Sequence, residues 1–435
     1  MGQELTRAQR LCGLSRIWSD VAGYYARFSA LPPGFWDAQY LEFVHRVEEV
    51  QEDDPLAYYA LLMRFISLLK DGHCYVQPPE GLLPPYRVPF GTGYEGGRHL
   101  LTSVPARYEG LLGGTILAVD GLPAEQYAAA YIEPYCWHER PKQRYSGWLL
   151  GYVIGATGEG TATVETDRGL LTVLRGVREE QISLPSLTLP ETTTWEALYR
   201  EDDVLTVYRT PDNLCVIRLP SFQTDGLADR LYGCIREHRL DGCAGFLLDV
   251  CGNPGGSSRI GGPVAQLFFP GSFQEGKYLT RRQTAAGCAR GQYSAGGEEA
   301  DMAAGCCFLD ETAPVHWRGC PVYLPQPTAV LCDACTASAA ETFVAAMKYE
   351  NRAVLVGERT AGTNGQPLMR DLPGGGQYAV CTQICLLNGG EDYHNRGIRP
   401  DVPVTLTAED AVQGRDRILE KGLEVIRRLC GLPVR

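Results

Sequence analysis

Apolar residues recur at i, i+3 and i+4 in RLCGLSRIWSDVAGYYARF and in WDAQYLEFVHRVEEV, the period of helices with one buried stripe. A third segment carries clearer punctuation. Asp54 suits an N-cap, Pro55 a first turn, and Leu61, Leu62, Phe65 and Leu69 share one side. Gly72 offers a stop for this helix, and His73 follows at once. Residues 1–80 are therefore expected to form a helical N-terminal domain, with proline-rich PPEGLLPP (Pro78–Pro85) as a linker. From 86 to 178 the period shortens. HLLTSV, GLLGGTILAVDGLPAEQY and GTATVETDRGLLTVLRGV are β-type runs between glycine turns, which predicts a small β-rich domain. From 184 to 435 strand-like and helix-like segments alternate, beginning with NLCVIRLPSF, GLADRLYGCIREHRL and GFLLDVCGNPGG. That alternation predicts an α/β domain. The stretch from about 276 to 312 is rich in Gly, Ala and charge and reads as a flexible or lid-like insertion.

Bulk composition narrows the function classes. A chain of 435 residues exceeds one ordinary core and implies two or three domains. The formal net charge of -12, with no basic stripe, argues against nucleic acid or an anionic membrane as partner. No window approaches the run of about 20 apolar residues that a membrane span needs; in YYALLMRFISLL, Arg64 breaks the nearest one. MGQELTRAQRLCGLSRIW lacks the uninterrupted apolar stretch of a secretion signal, so the cytoplasm is the expected compartment. The sixteen cysteines then read as reduced, mostly buried thiols. Cys332-x-x-Cys335 has no second such pair to complete a zinc site, and no metal or organic cofactor is expected.

Three places carry candidate chemistry. In TAVLCDACTASAAETFVAAMK an apolar run meets Ser338 among alanines where a helix begins. The segment allows two readings: a helix cap, or a nucleophile whose neighbour Ala339 supplies an oxyanion N–H. In Asp249-Val-Cys-Gly-Asn-Pro-Gly255-Gly256 a buried strand runs into a glycine turn. It is either an ordinary Asn-Pro-Gly turn or a second source of oxyanion donors. Asp71-Gly72-His73 places a histidine just past a helix, either structural or a general base.

Taken together, in their order along the chain, these motifs resemble the C-terminal-processing (tail-specific) serine peptidases. The matching stretches are Asp249–Gly256, Ser338–Glu341, Gly357–Gly362 and Gly397–Asp401. The resemblance implies a ββα catalytic core of the crotonase/Clp type, a PDZ-like domain and a helical N-terminal bundle. One branch of that family uses a lysine as base. At the corresponding spacing this chain has Thr363, and its loop contains no lysine. The other branch, similar to the tricorn core protease, takes a histidine from a D-x-H motif, which Asp71-Gly72-His73 fits. The resemblance thus implies Ser338 as nucleophile, His73 as general base and Gly255, Gly256 and Ala339 as oxyanion donors. The family's orienting glutamate would fall near His394, so Glu391 is the expected third member, with Asp392 and His394 as alternatives. Cys251 stands where the family has an arginine. The implied activity is a serine endopeptidase acting through an acyl-enzyme on peptides or unfolded protein tails, with assembly into a homo-oligomer left open. The competing reading is a decayed relative that only binds peptide or a hydrophobic ligand.

Overall fold

A computed structural model of the protein describes residues 4–82, 90–135, 161–174, 182–183, 194–283, 306–316 and 320–434. Three N-terminal helices span Arg7–Tyr24, Phe35–Glu49 and Pro55–Ser67. The first starts with a capping box between Thr6 and Gln9. At the third, Asp54 accepts from the Ala57 N–H and Pro55 opens the first turn, as its sequence predicts. The helix stops earlier than expected. Its last residue is Ser67, and Lys70, with φ of 54°, takes the left-handed conformation that was expected of Gly72.

These helices bury Trp36, Tyr58, Tyr59, Leu62, Phe65 and Ile66 together with Leu372, Tyr378, Val380 and Cys381 from the far end of the chain. The strand Tyr75–Gln77 continues the link by pairing antiparallel with Gln377–Cys381, Tyr75 opposite Ala379. The loop that carries His73 is thereby held between the helices and this C-terminal hairpin.

The middle of the chain is β-rich. Gly91–Glu95 and Arg98–Pro105 form a hairpin. A four-stranded sheet joins Ile116–Val119, Leu122–Pro123, Thr161–Thr166 and Gly169–Leu174. Asp120 and Gly121 both have positive φ at its tightest turn, as an Asp-Gly hairpin requires. The helix Ala124–Tyr131 contributes Tyr127 and Ala128 to a small core with Val104, Val119, Val164 and Leu171.

The largest sheet has seven strands, in the order Val402–Pro403, Val354–Gly357, Thr328–Cys332, Gly245–Asp249, Leu214–Arg218, Leu205–Arg209 and Glu196–Glu201. The first five are parallel, and the last two join antiparallel. Successive side chains of a strand point to opposite faces, so a sheet covered on both sides reads as an unbroken apolar run. Ile217, Phe246, Leu248 and Val330 face Leu231, Ile235, Val264 and Phe343 of the helices Leu227–His238, Ser258–Gln266 and Ala339–Tyr349. Val216, Leu247, Leu331 and Val356 face Ile418, Leu423 and Ile426 of the helix Arg417–Leu429. The overall class is mixed α/β, as expected.

The segment from 276 to 312 differs from the expected lid at both ends. Lys277–Gln283 pairs antiparallel with Cys306–Asp310 and with Gln383–Leu386, forming a three-stranded sheet. The rest of that segment, 284–305, lies outside the described residues. Among the described residues, no helix is long and apolar enough to cross a membrane.

Candidate active site

The parallel strand Thr328–Cys332 is buried along its whole length and delivers the chain to Ser338, immediately before the helix Ala339–Tyr349. Ser338 has φ of 54° and ψ of −124°, and its hydroxyl makes no capping bond. A non-glycine residue in such a region costs about 1–3 kcal/mol and persists only where its surroundings impose it. Here they do. The Ser338 N–H donates to the Thr363 carbonyl at 2.8 Å, Ala337 N–H to Asn253 O at 3.0 Å, and Ala361 N–H to Thr336 O at 2.8 Å. Asp333 and Thr336 brace the same turn: the Asp333 carboxylate accepts from Gly252 N–H, and Thr336 Oγ1 donates to Val250 O. Neighbouring loops thus hold the Ser338 backbone in place, and its hydroxyl, which caps nothing, is free to point elsewhere.

It points at His73. Ser338 Oγ lies 3.1 Å from His73 Nε2, although 265 positions separate the two in sequence. The histidine is placed by the residue two before it: Asp71 Oδ1 accepts the His73 N–H at 2.9 Å, and the Asp71 carbonyl accepts from Cys74. His73 Nδ1 is buried without a hydrogen-bond partner, as is Asp71 Oδ2.

The expected oxyanion donors separate on inspection. Gly255 N–H is taken by the Asn253 side chain, whose Oδ1 accepts it at 2.8 Å. That makes the Asn-Pro-Gly segment an Asx-type turn and removes Gly255 from the donor set. Its glycine is required for another reason. With φ of 96°, a Cβ on Gly255 would lie 2.7 Å from both Ala337 O and Ser338 Cβ, and 2.8 Å from Ala339 N. The N–H groups of Gly256 and Ala339 have no hydrogen-bond acceptor among the described residues.

The third position also departs from expectation. Glu391 is exposed and sits over Gly389, in a turn closed by the bond from Leu387 N–H to Glu391 O. The bridge between Leu386 and Asp392 fixes this turn, so Glu391 faces solvent while Tyr393 is buried. Nothing brings the Glu391 carboxylate to His73. Asp392 is engaged elsewhere. Arg27 holds it with two bonds of 2.6 and 2.9 Å, and although burial pushes its carboxyl up, these bonds keep it below the usual range. His394 comes closest to the expected position: its Nε2 lies 3.8 Å from Asp71 Oδ2. Burial lowers the His394 pKa, with Asp71 opposing, which favours a neutral ring. The acidic group beside His73 is therefore Asp71, two residues before it. The D-x-H spacing carried this signal, because an Asp at that offset folds back on its own backbone. Arg27 had no sequence signal.

One further carboxylate touches the serine turn. Glu341 in the first turn of the helix is fully buried, and its Oε1 accepts from Thr360 Oγ1 at 2.5 Å and Gly362 N–H at 2.7 Å. Burial pushes it up to about 8, against the pull of these bonds. Among the described residues, the group with metal-ligating atoms close together is Asp71, His73 and Cys381.

Residues 213–404 match the model of peptidase family S41. The carboxyl-terminal-processing protease of Synechocystis sp. is 25% identical over 301 residues, covering 65% of this chain and 63% of that protein. The carboxy-terminal processing protease CtpA of Bacillus subtilis is 25% identical over 231 residues, covering 53% of this chain and 41% of that protein. The chain thus spans less than two thirds of the length of these curated relatives. Among solved structures, mature CPAF superposes with a TM-score of 0.70 at 15% identity, covering 98% of both chains. A peptidase-like protein from Parabacteroides merdae superposes with a TM-score of 0.51 at 16% identity, covering 97% of both chains. At these identities the two structures speak to the fold alone.

Proposed function

We propose, from the match of residues 213–404 to peptidase family S41, that the protein is a serine endopeptidase with Ser338 as nucleophile and His73 as general base. The observation that carries this reading is the 3.1 Å approach of His73 Nε2 to Ser338 Oγ at an uncapped helix start. It favours an enzyme over a relative that only binds ligand, since a decayed site has no need to keep the pair in hydrogen-bond reach.

In this mechanism the neutral His73 ring carries its proton on Nδ1 and accepts the serine proton at Nε2 as Oγ attacks the scissile carbonyl. Negative charge develops on the carbonyl oxygen beside the helix start. There the N–H groups of Ala339 and Gly256 lack other acceptors, and the helix dipole favours an anion. His73 then gives its proton to the leaving amine, and an acyl-enzyme on Ser338 remains. Water, deprotonated by the same imidazole, releases the product and restores the serine. Asp71, with His394 behind it, takes the orienting role first expected of Glu391. Its Oδ1 fixes the histidine backbone, and its carboxylate charge lies beside the imidazolium that forms.

The same reading takes the large sheet with its flanking helices as a crotonase/Clp-type core and the β-rich middle as a PDZ-like domain. Among the described residues Gly91–Glu95 is an edge strand of its sheet, which suits the addition of an extended peptide as one more strand. The substrate class is therefore a peptide or an unfolded protein tail. The test is incubation of a mixture of unfolded proteins with the wild type and with Ser338→Ala, followed by mass-spectrometric mapping of new termini. New termini in the wild type alone support the reading. Identical maps, with both proteins folded, overturn it.

A further inference from the structure

His73 stands beside two other groups with free electron pairs. One nitrogen of the ring, a carboxylate oxygen of Asp71 and Cys381 Sγ lie within 4.8 Å of one another. All three residues are buried, Asp71 to 2% exposure and His73 to 8%. His73 Nδ1, the nitrogen turned away from Ser338, has no hydrogen-bond partner among the described residues, and neither has Asp71 Oδ2. Two polar atoms buried without partners in one place are costly unless something occupies the space between them. The thiol is lightly held, with sulfur contacts of 3.5 Å to the carbonyls of Asn364 and Gln383. His394 Nε2 stands 3.8 Å beyond Asp71 Oδ2, where a partner that fixes a ligating carboxylate belongs.

We infer that Asp71, His73 and Cys381 form a binding site for a thiophilic divalent cation, Zn²⁺ in the first place, and that the bound ion switches the serine off. An imidazole, a carboxylate and a thiolate are the three ligand types that zinc accepts, and a fourth position is left for water. Tetrahedral bonds of about 2.0–2.3 Å place ligand atoms roughly 3.5 Å apart, so the three groups close by about 1 Å to seat the ion. On binding, the Cys381 thiol gives its proton to solvent and a Zn–S bond forms.

The consequence for His73 follows from its valence. Zinc needs the lone pair of Nδ1, and a neutral ring then carries its proton on Nε2. That nitrogen faces Ser338 at 3.1 Å. It becomes a donor to the hydroxyl and can no longer accept the serine proton. The ion replaces the Nδ1 proton and so reverses the one hydrogen bond that the proposed mechanism depends on. This switching rests on the peptidase reading; the binding site does not.

The experiment therefore has two arms. In the first, the full chain is titrated with Co²⁺ as a spectroscopic stand-in for zinc, beside Cys381→Ser and Cys381→Ala. The expected result is one equivalent of Co²⁺ bound with a thiolate-to-metal charge-transfer band, displaced by Zn²⁺. Both variants lose the band and weaken binding by at least about tenfold, the loss that even an outer partner of a metal site produces. Cobalt bound without that band, or with equal affinity in wild type and variants, overturns the site. In the second arm, labelling by a fluorophosphonate is compared with and without Zn²⁺. Zinc is expected to suppress labelling of the wild type, a chelator to restore it, and the variants to resist the suppression. Equal suppression in wild type and variants overturns the switch. A wild type that binds cobalt with the band but never labels would count against the peptidase reading while leaving the metal site in place.

Discussion

Replacing Glu341 by Gln separates the cost of a buried acid from the rest of the structure. The carboxyl is fully buried in the first turn of the helix that follows Ser338. Its Oε1 accepts from Thr360 and Gly362, while Oε2 is buried without a partner. Burial raises its pKa from an ordinary 4.5 to about 8. The sign follows from proton counting. Between these two values the folded protein holds a proton that the unfolded chain has released, so stability falls as pH rises and levels off above the folded value. One pKa unit is worth about 1.4 kcal/mol, so this single group should cost the wild type roughly 2–3 kcal/mol between about pH 6 and about pH 8. Glutamine keeps the Oε1 acceptor and cannot ionise. Urea unfolding of both proteins across that range is the assay. Glu275, raised to about 7, and Asp249, raised to about 6, titrate in both proteins and cancel from the difference. The expected outcome is that Glu341→Gln gains roughly 2–3 kcal/mol relative to wild type as pH rises. Parallel stability curves would refute the reasoning, since they would mean that Glu341 ionises as freely in the folded protein as in the unfolded chain.

Three further substitutions probe the serine turn and its histidine. Gly255→Ala places a methyl group 2.7 Å from Ser338 Cβ and from Ala337 O. Displacing Ser338 by a fraction of an ångström should lower kcat/KM by about a hundredfold, with a stability loss of about 1–3 kcal/mol, read by peptide hydrolysis and thermal unfolding. Glu391→Gln changes an exposed side chain and should leave kcat within about twofold of wild type. Asp71→Asn removes the charge beside His73 and should lower kcat by about 10²–10⁴ with little change in KM. The opposite ranking would restore Glu391 to the role first expected of it.

The parts of this site that could be read from the sequence are those set by local geometry. A buried strand followed by small residues and an amphipathic helix marked Ser338. A helix end followed by Asp-x-His marked His73. The Asp120-Gly121 turn announced its own backbone. What was not legible depends on partners far along the chain. Glu391 and His394 differ by only three positions, and which of them faces inward is set by the bridge between Leu386 and Asp392. Gly255 was expected to donate, but the Asn253 side chain folds back and takes its N–H first. The glycine-rich, charged segment after 276 read as a lid, because its pairing with Gln383–Leu386 spans about a hundred residues and leaves no local period. The three N-terminal helices looked self-sufficient, yet they close their core with Leu372, Tyr378 and Cys381. That dependence positions His73 against Ser338.

The most direct test of the central claim is fluorophosphonate labelling of the purified protein beside Ser338→Ala and His73→Ala, each shown to be folded. One label per wild-type chain is expected, located on Ser338 by peptide mapping, and none above background in either variant. Label that persists in His73→Ala, or that maps to another serine, would contradict it.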